Sequence, residues 1–160
     1  MTTNHRAGPA AHNATAIGRT PVQLAALAIG AVFLIVGVCG FIPGITTHYD
    51  MLEWAGHGSG AQLLGLFNVS VLHNIVHLAF GVAGVALART VSGARWFLIG
   101  GGIIYIVLWI YGLALGDYHT AANFIPVNTA DNWLHFGLGV AMLGLGLALG
   151  RSRRGELGRA

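Results

Sequence analysis

Apolar residues run along this chain in four long blocks separated by short polar segments. Val22 to Ile42 is interrupted only by Gln23 near its start. Val69 to Ala88 carries Ser70, His73, Asn74 and His77 in its first half and is apolar from there to Arg89. Trp96 to Leu115 contains no charged residue, and Trp133 to Gly150 contains a single ionisable group, His135. About 20 helical residues cross a hydrocarbon core of roughly 30 Å. The blocks therefore predict membrane-spanning helices at 22–42, 69–88, 96–115 and 133–150, with helix two able to start near Ser59 because Ala61 to Phe67 is also apolar. The first block is longer than the usual signal-peptide core of about 7–15 residues and no small-residue cleavage site follows, so it reads as a retained span.

The expected fold is all-α: an integral membrane four-helix bundle over residues 21–150, between a mobile tail at 1–20 and a short basic tail at 151–160. Orientation follows from arginine placement, since short loops rich in Lys and Arg stay in the cytoplasm. With the N-terminus inside, the inner segments hold Arg6, Arg19, Arg89, Arg95, Arg151, Arg153, Arg154 and Arg159, which account for all eight positive side chains. The outer loops carry Asp50, Glu53, Asp117 and Asp131, together with interfacial aromatics such as Tyr49, Trp54, Phe67, Tyr118, Phe124 and Trp133. Both termini are thus expected in the cytoplasm and the chain in a plasma membrane.

Composition agrees: 55% of residues are apolar and 8% charged, against roughly a quarter charged in soluble domains. The net charge of +3 is all arginine in tails and one turn, a topology signal with no stripe suited to nucleic acid. The lipid bilayer is the expected partner, with another membrane protein or a second copy of the chain as further classes. The lone Cys39 sits in an apolar run and gives no disulfide framework.

The blocks repeat. His73-Asn74-Ile75-Val76-His77 through Gly81-Val82-Ala83 matches Asp131-Asn132-Trp133-Leu134-His135 through Gly139-Val140-Ala141 at a shift of 58. Spans one and three align at a shift of 72, pairing Gly30 with Gly102, Phe33 with Tyr105, Gly40 with Gly112 and Gly44 with Gly116. Two parallel hairpins related by an axis along the membrane normal are the expected architecture. The Gly-rich stripes Phe33, Gly37, Gly40, Gly44 and Tyr105, Trp109, Gly112, Gly116 read first as close-packing grooves, and second as a groove for lipid or quinone.

Ionisable groups inside a span are costly and invite a functional reading. His73/His77 and Asp131/His135 are each spaced i, i+4 on one helix face. If helices two and four lie side by side, three imidazoles and one carboxylate converge in the outer half of the membrane. The first reading is an interhelical hydrogen-bond clamp, with Ser70, Asn74 and Asn132 in the same polar cluster. The alternatives are a metal site of His73, His77, Asp131 and His135 with the two asparagines behind it, a haem with axial His77 and His135, and a proton relay. Asp131 also reads as the N-cap of helix four. His48, His57 and His119 fall in outer loops, and His5 and His12 in the tail. No phosphate loop, nucleophile elbow, Cys-x-x-Cys or paired buried carboxylate occurs, and Gly100-Gly101-Gly102 lacks a strand before it. The expectation is a protein without enzymatic activity, structural or accessory to another membrane component, with no resident cofactor, or, as the competing class, a metal- or haem-binding redox or transport component.

Three segments carry a resemblance: Gly40-Phe41-Ile42-Pro43-Gly44-Ile45-Thr46-Thr47, the run from Leu64 to Gly84, and Ala130-Asp131-Asn132-Trp133-Leu134-His135. In these the chain resembles the bacterial, mainly actinobacterial, membrane family called domain of unknown function 4383 (DUF4383), over roughly residues 20–150. The resemblance implies a small multi-pass protein of the bacterial plasma membrane and no particular activity.

Overall fold

A computed structural model describes residues 18–56, 58–115 and 125–150. Four α-helices dominate them: α1 (Pro21–Cys39), α2 (Val71–Leu87), α3 (Val91–Leu115) and α4 (Thr129–Leu149). α1, α3 and α4 are long and apolar enough to cross a membrane, whereas α2 has 17 residues and spans about 25 Å at 1.5 Å per residue.

The helix starts explain where the observed bounds depart from 22–42, 69–88, 96–115 and 133–150. Pro21 occupies the first turn of α1, where its missing N–H costs no hydrogen bond. The Thr20 backbone N–H donates to Gln23 Oε1 at 3.1 Å. α3 begins at Val91, with Thr90 Oγ1 accepting from the Gly93 N–H at 3.0 Å, so Arg95 lies in its opening turns. α4 begins at Thr129 because Asn128, not Asp131, is its N-cap. Asn128 Oδ1 accepts from the Asp131 N–H at 2.9 Å, and Asp131 Oδ2 accepts from the Asn128 N–H at 3.0 Å. The two form a reciprocal capping box, which corrects the capping role expected of Asp131.

The segment from Ala61 to Phe67 is not an extension of α2. It belongs to a small antiparallel sheet, ordered β1 (Thr46–Thr47), β2 (Gln62–Leu63), β3 (Phe67–Asn68). Leu64 and Gly65 both take positive φ, 55° and 69°, and turn the chain back before a helix can propagate. The loop then closes the N-terminus of α2. The Val71 and Leu72 N–H groups donate to the carbonyls of Glu53 and Trp54 at 3.0 and 2.9 Å, satisfying donors that a helix start leaves orphaned.

α1 packs along α2 and α3 along α4, and the two hairpins meet mainly through α1 against α3; the α2 and α4 backbones hardly touch. This corrects the expectation that helices two and four lie side by side. Small residues explain the intimate pairs. A methyl on Gly30 would sit 2.9 Å from the Val85 nitrogen and 3.1 Å from the Gly81 carbonyl oxygen; on Gly102 it would sit 2.8 Å from the Leu143 nitrogen and 3.0 Å from the Gly139 oxygen. The same register recurs in both hairpins, and it requires glycine.

The core between the hairpins is Phe33, Phe97, Leu98, Tyr105 and Met142, with a second cluster of Ala61, Leu63 and Val69 beneath the sheet. Large aliphatic residues lie outside instead: Leu24, Val32, Ile35 on α1 and Ile103, Val107, Leu113 on α3 are all about half exposed. Glycines and polar groups turned inward beside this aromatic core, with large aliphatic side chains outside, suit a protein whose surroundings are lipid.

The helix ends sort by charge. Gln23 Nε2 donates to the carbonyls of Ala88 and Arg89 at 3.1 and 3.0 Å, tying the start of α1 to the α2–α3 turn. Gly150, at the end of α4, lies against the Arg95 side chain. Arg19, Arg89 and Arg95 thus share one end of the bundle, while Asp50, Glu53 and Asp131 belong to the other. Arg151, Arg153 and Arg154, like Arg6, Arg159, His5, His12, His57, Asp117, Tyr118, His119 and Phe124, lie outside the described residues.

Candidate functional site

The opening turns of α2 place Ser70, His73, Asn74 and His77 on one face. Ser70 caps the helix, its Oγ accepting from the His73 N–H at 3.2 Å. One turn on, His77 Nδ1 lies 3.0 Å from the His73 carbonyl oxygen. A carbonyl only accepts, so Nδ1 carries the proton and the neutral ring keeps Nε2 as an acceptor. The two imidazoles stack at 4.4 Å and 15°.

From His77 an aromatic series crosses between the hairpins. Phe33 meets His77 edge-on at 5.5 Å and stacks on Tyr105 at 5.5 Å and 11°; Tyr105 meets His135 at 5.3 Å and 62°. Phe80 sets its edge against both Phe33 and Tyr105. The series is arranged symmetrically, His–Phe from one hairpin and Tyr–His from the other. α2 and α4 stay apart because these rings from α1 and α3 occupy the space between them.

Two cavities of about 120 and 110 Å³ lie beside the series, and His73, His77, Tyr105 and His135 line both. The first is otherwise apolar, walled by Leu72, Val76, Leu108, Ile125 and Pro126 in addition to Ser70. Asp131 reaches only the second. His135 is 4% exposed, and among the described residues its Nδ1 has no hydrogen-bond partner.

The expected constellation is therefore brought together around a shared space, though its members play unlike parts. Asp131, 2% exposed, is engaged by backbone: its Oδ2 accepts from the N–H groups of Asn128 and Asn68, each at 3.0 Å. Asn128 Nδ2 also donates to the Leu66 carbonyl at 2.7 Å. The end of β3 is thereby pinned to the start of α4. Asn74 and Asn132 do not back the histidines. Asn74 lies over Gly40 and Asn132 over Gly112, each filling the notch left by a glycine of its own hairpin. Among the described residues no three His, Cys, Asp or Glu side chains are set to hold a metal ion. Phe33 and Tyr105 stand in the contact series linking His77 to His135, where an axially ligated porphyrin would need an open slot.

Sequence reasoning passed over Asn68 and Asn128, which carry the link between loop and helix. A signal was available: the shift of 58 that pairs His77 with His135 also pairs Ser70 with Asn128, the caps of α2 and α4.

A family model described as Domain of unknown function (DUF4383) matches residues 23–148. No curated protein and no solved structure matches the chain.

Proposed function

The chain belongs to the DUF4383 family, and we propose that it is a multi-pass protein of the bacterial plasma membrane with both termini in the cytoplasm, non-enzymatic, structural or accessory to another membrane component. The observation that carries the orientation is the sorting of charge: Arg19, Arg89 and Arg95 at one end of the bundle, and at the other an acidic, folded loop. Short arginine-bearing segments stay on the cytoplasmic side. The structural reading rests on how the polar groups are used. Gln23 joins α1 to the α2–α3 turn, and Asp131 with Asn128 fastens the outer loop to α4. These bonds form a clamp at each end of the molecule.

The domain plan of a 21–150 membrane unit between an N-terminal tail and a basic C-terminal tail is part of the same proposal, as is descent from a duplicated hairpin. Duplication is supported by the equivalent contacts Gly30 on Val85 and Gly102 on Leu143, Asn74 over Gly40 and Asn132 over Gly112.

Cysteine labelling tests the orientation. In a Cys39→Ser background, Thr47→Cys in intact cells is expected to react with a membrane-impermeant maleimide, and Thr90→Cys only after permeabilisation. The reverse pattern would overturn the proposal.

A further inference from the structure

The clamp leaves several buried polar atoms without a partner among the described residues, on Asn74, Arg95, Trp109, Asn132 and His135, and of these side chains only His135 lines the cavities beside the aromatic series. Among the described residues His135 Nδ1 is shielded from solvent and without a hydrogen-bond partner, and the His135 side chain lines both cavities. A buried polar atom left unmade costs about 1–3 kcal/mol, so a site that maintains one is built to complete it with something else. We infer that the cavity of about 120 Å³, walled by α2, α3, the Ile125–Pro126 segment and His135 of α4, is a binding site for the ring of a lipid-soluble quinone or quinol, with its tail in the bilayer.

Four features select that chemistry. The flat faces at the site, the His73–His77 stack and the Tyr105 ring, match a planar ring. The polar groups suit ring oxygens: His77 offers an acceptor at Nε2, since its Nδ1 is committed to the His73 carbonyl, and His135 Nδ1 can donate to a carbonyl or accept from a hydroxyl according to tautomer. Among the described residues no charged side chain lines this cavity, which disfavours a phosphate or carboxylate head. Its volume of about 120 Å³ is that of a single ring head or a few waters. Finally, Val76 at the cavity wall is also 46% exposed, so on that side the site opens towards lipid. Entry from the bilayer is the route an apolar-tailed ligand needs. This site goes beyond the structural role above and rests only on the membrane location proposed with it.

The test is calorimetric titration of the full chain in nanodiscs with a decyl-tailed benzoquinone, using empty nanodiscs and decanol as controls. Saturable binding is expected, absent from empty discs and not displaced by decanol. It should weaken about tenfold or more in His135→Leu, which removes the ring nitrogen, and in Val76→Trp, which fills the opening. Either variant decides the matter if the other fails to fold. Uptake no greater than into empty discs, displacement by decanol, or full binding by a folded variant would each overturn the site. None of these outcomes bears on membrane orientation, which the labelling experiment reads separately.

Discussion

At the scale of single residues, the two members of each i, i+4 pair are not interchangeable. Asp131 occupies the position in α4 that His73 occupies in α2, yet its carboxylate is spent on two backbone N–H groups, those of Asn68 and Asn128. Hydrogen bonds to a charged group contribute about 1.5–3 kcal/mol, and orphaned buried donors add to the loss, so Asp131→Ala is expected to cost about 2–4 kcal/mol. Asp131→Asn keeps one carbonyl acceptor and should lose less than half of that. Thermal melting of the purified protein in detergent checks both; equal melting temperatures for parent and Asp131→Ala would contradict the clamp. Asn74 and His77 make a second case. They share a face but no hydrogen bond, since His77 turns to the His73 carbonyl and Asn74 covers Gly40. The effects of Asn74→Leu and His77→Leu on melting are therefore expected to add, within about 0.5 kcal/mol; a larger coupling would mean that the two side chains act together.

At the scale of elements, glycines that look alike in sequence differ in what they face. Gly102 meets the backbone of α4, whereas Gly100, two residues earlier on α3, has no atom within 4 Å of where a methyl would stand. Overpacking a close contact costs typically about 1–3 kcal/mol, so Gly102→Ala and Gly30→Ala should each lower stability by about that much. Gly100→Ala should be neutral or slightly stabilising, because alanine is the better helix former by up to about 1 kcal/mol. A reversed order of melting temperatures would mean that the hairpins do not pack through these grooves. The helices and their Gly grooves were legible because periodicity reports which face of a helix is small or polar. The outer loop was not: strands of two residues are too short to show alternation, and the turn that excludes a helix depends on a positive φ at Leu64, a residue that carries no turn signature. The convergence of His73, His77, Asp131 and His135 was also legible, although the neighbour relation behind it was not. Periodicity states that a face turns inward without stating which helix it will meet, and the large rings of Phe33 and Tyr105 decided for α1 against α3.

At the scale of the whole molecule, those rings, the core around Phe97 and Met142, and the outer loop tie together two hairpins that each close on themselves. Each hairpin closes on itself, α1 on α2 and α3 on α4, through backbone contacts that need no help from the other half. The connection between them, Ala88 to Thr90, is a short turn at the arginine-rich end. Cutting the chain after Thr90 should then leave two fragments that insert separately, because in the proposed orientation both new ends would lie in the cytoplasm. Inside a bilayer such fragments gain nothing from the hydrophobic effect by meeting, so packing and hydrogen bonds must hold them. The Phe33–Tyr105 stack and the hold of Asp131 and Asn128 on the outer loop are those contacts. Co-expressed fragments carrying different tags are expected to co-purify, and recovery should fall sharply in Tyr105→Ala and in Asp131→Ala. A Gly30→Ala change, which loosens α1 from α2 within one fragment, should matter less. If the halves fail to associate, or if Gly30→Ala severs them while Tyr105→Ala does not, the bundle is held along different seams from those described.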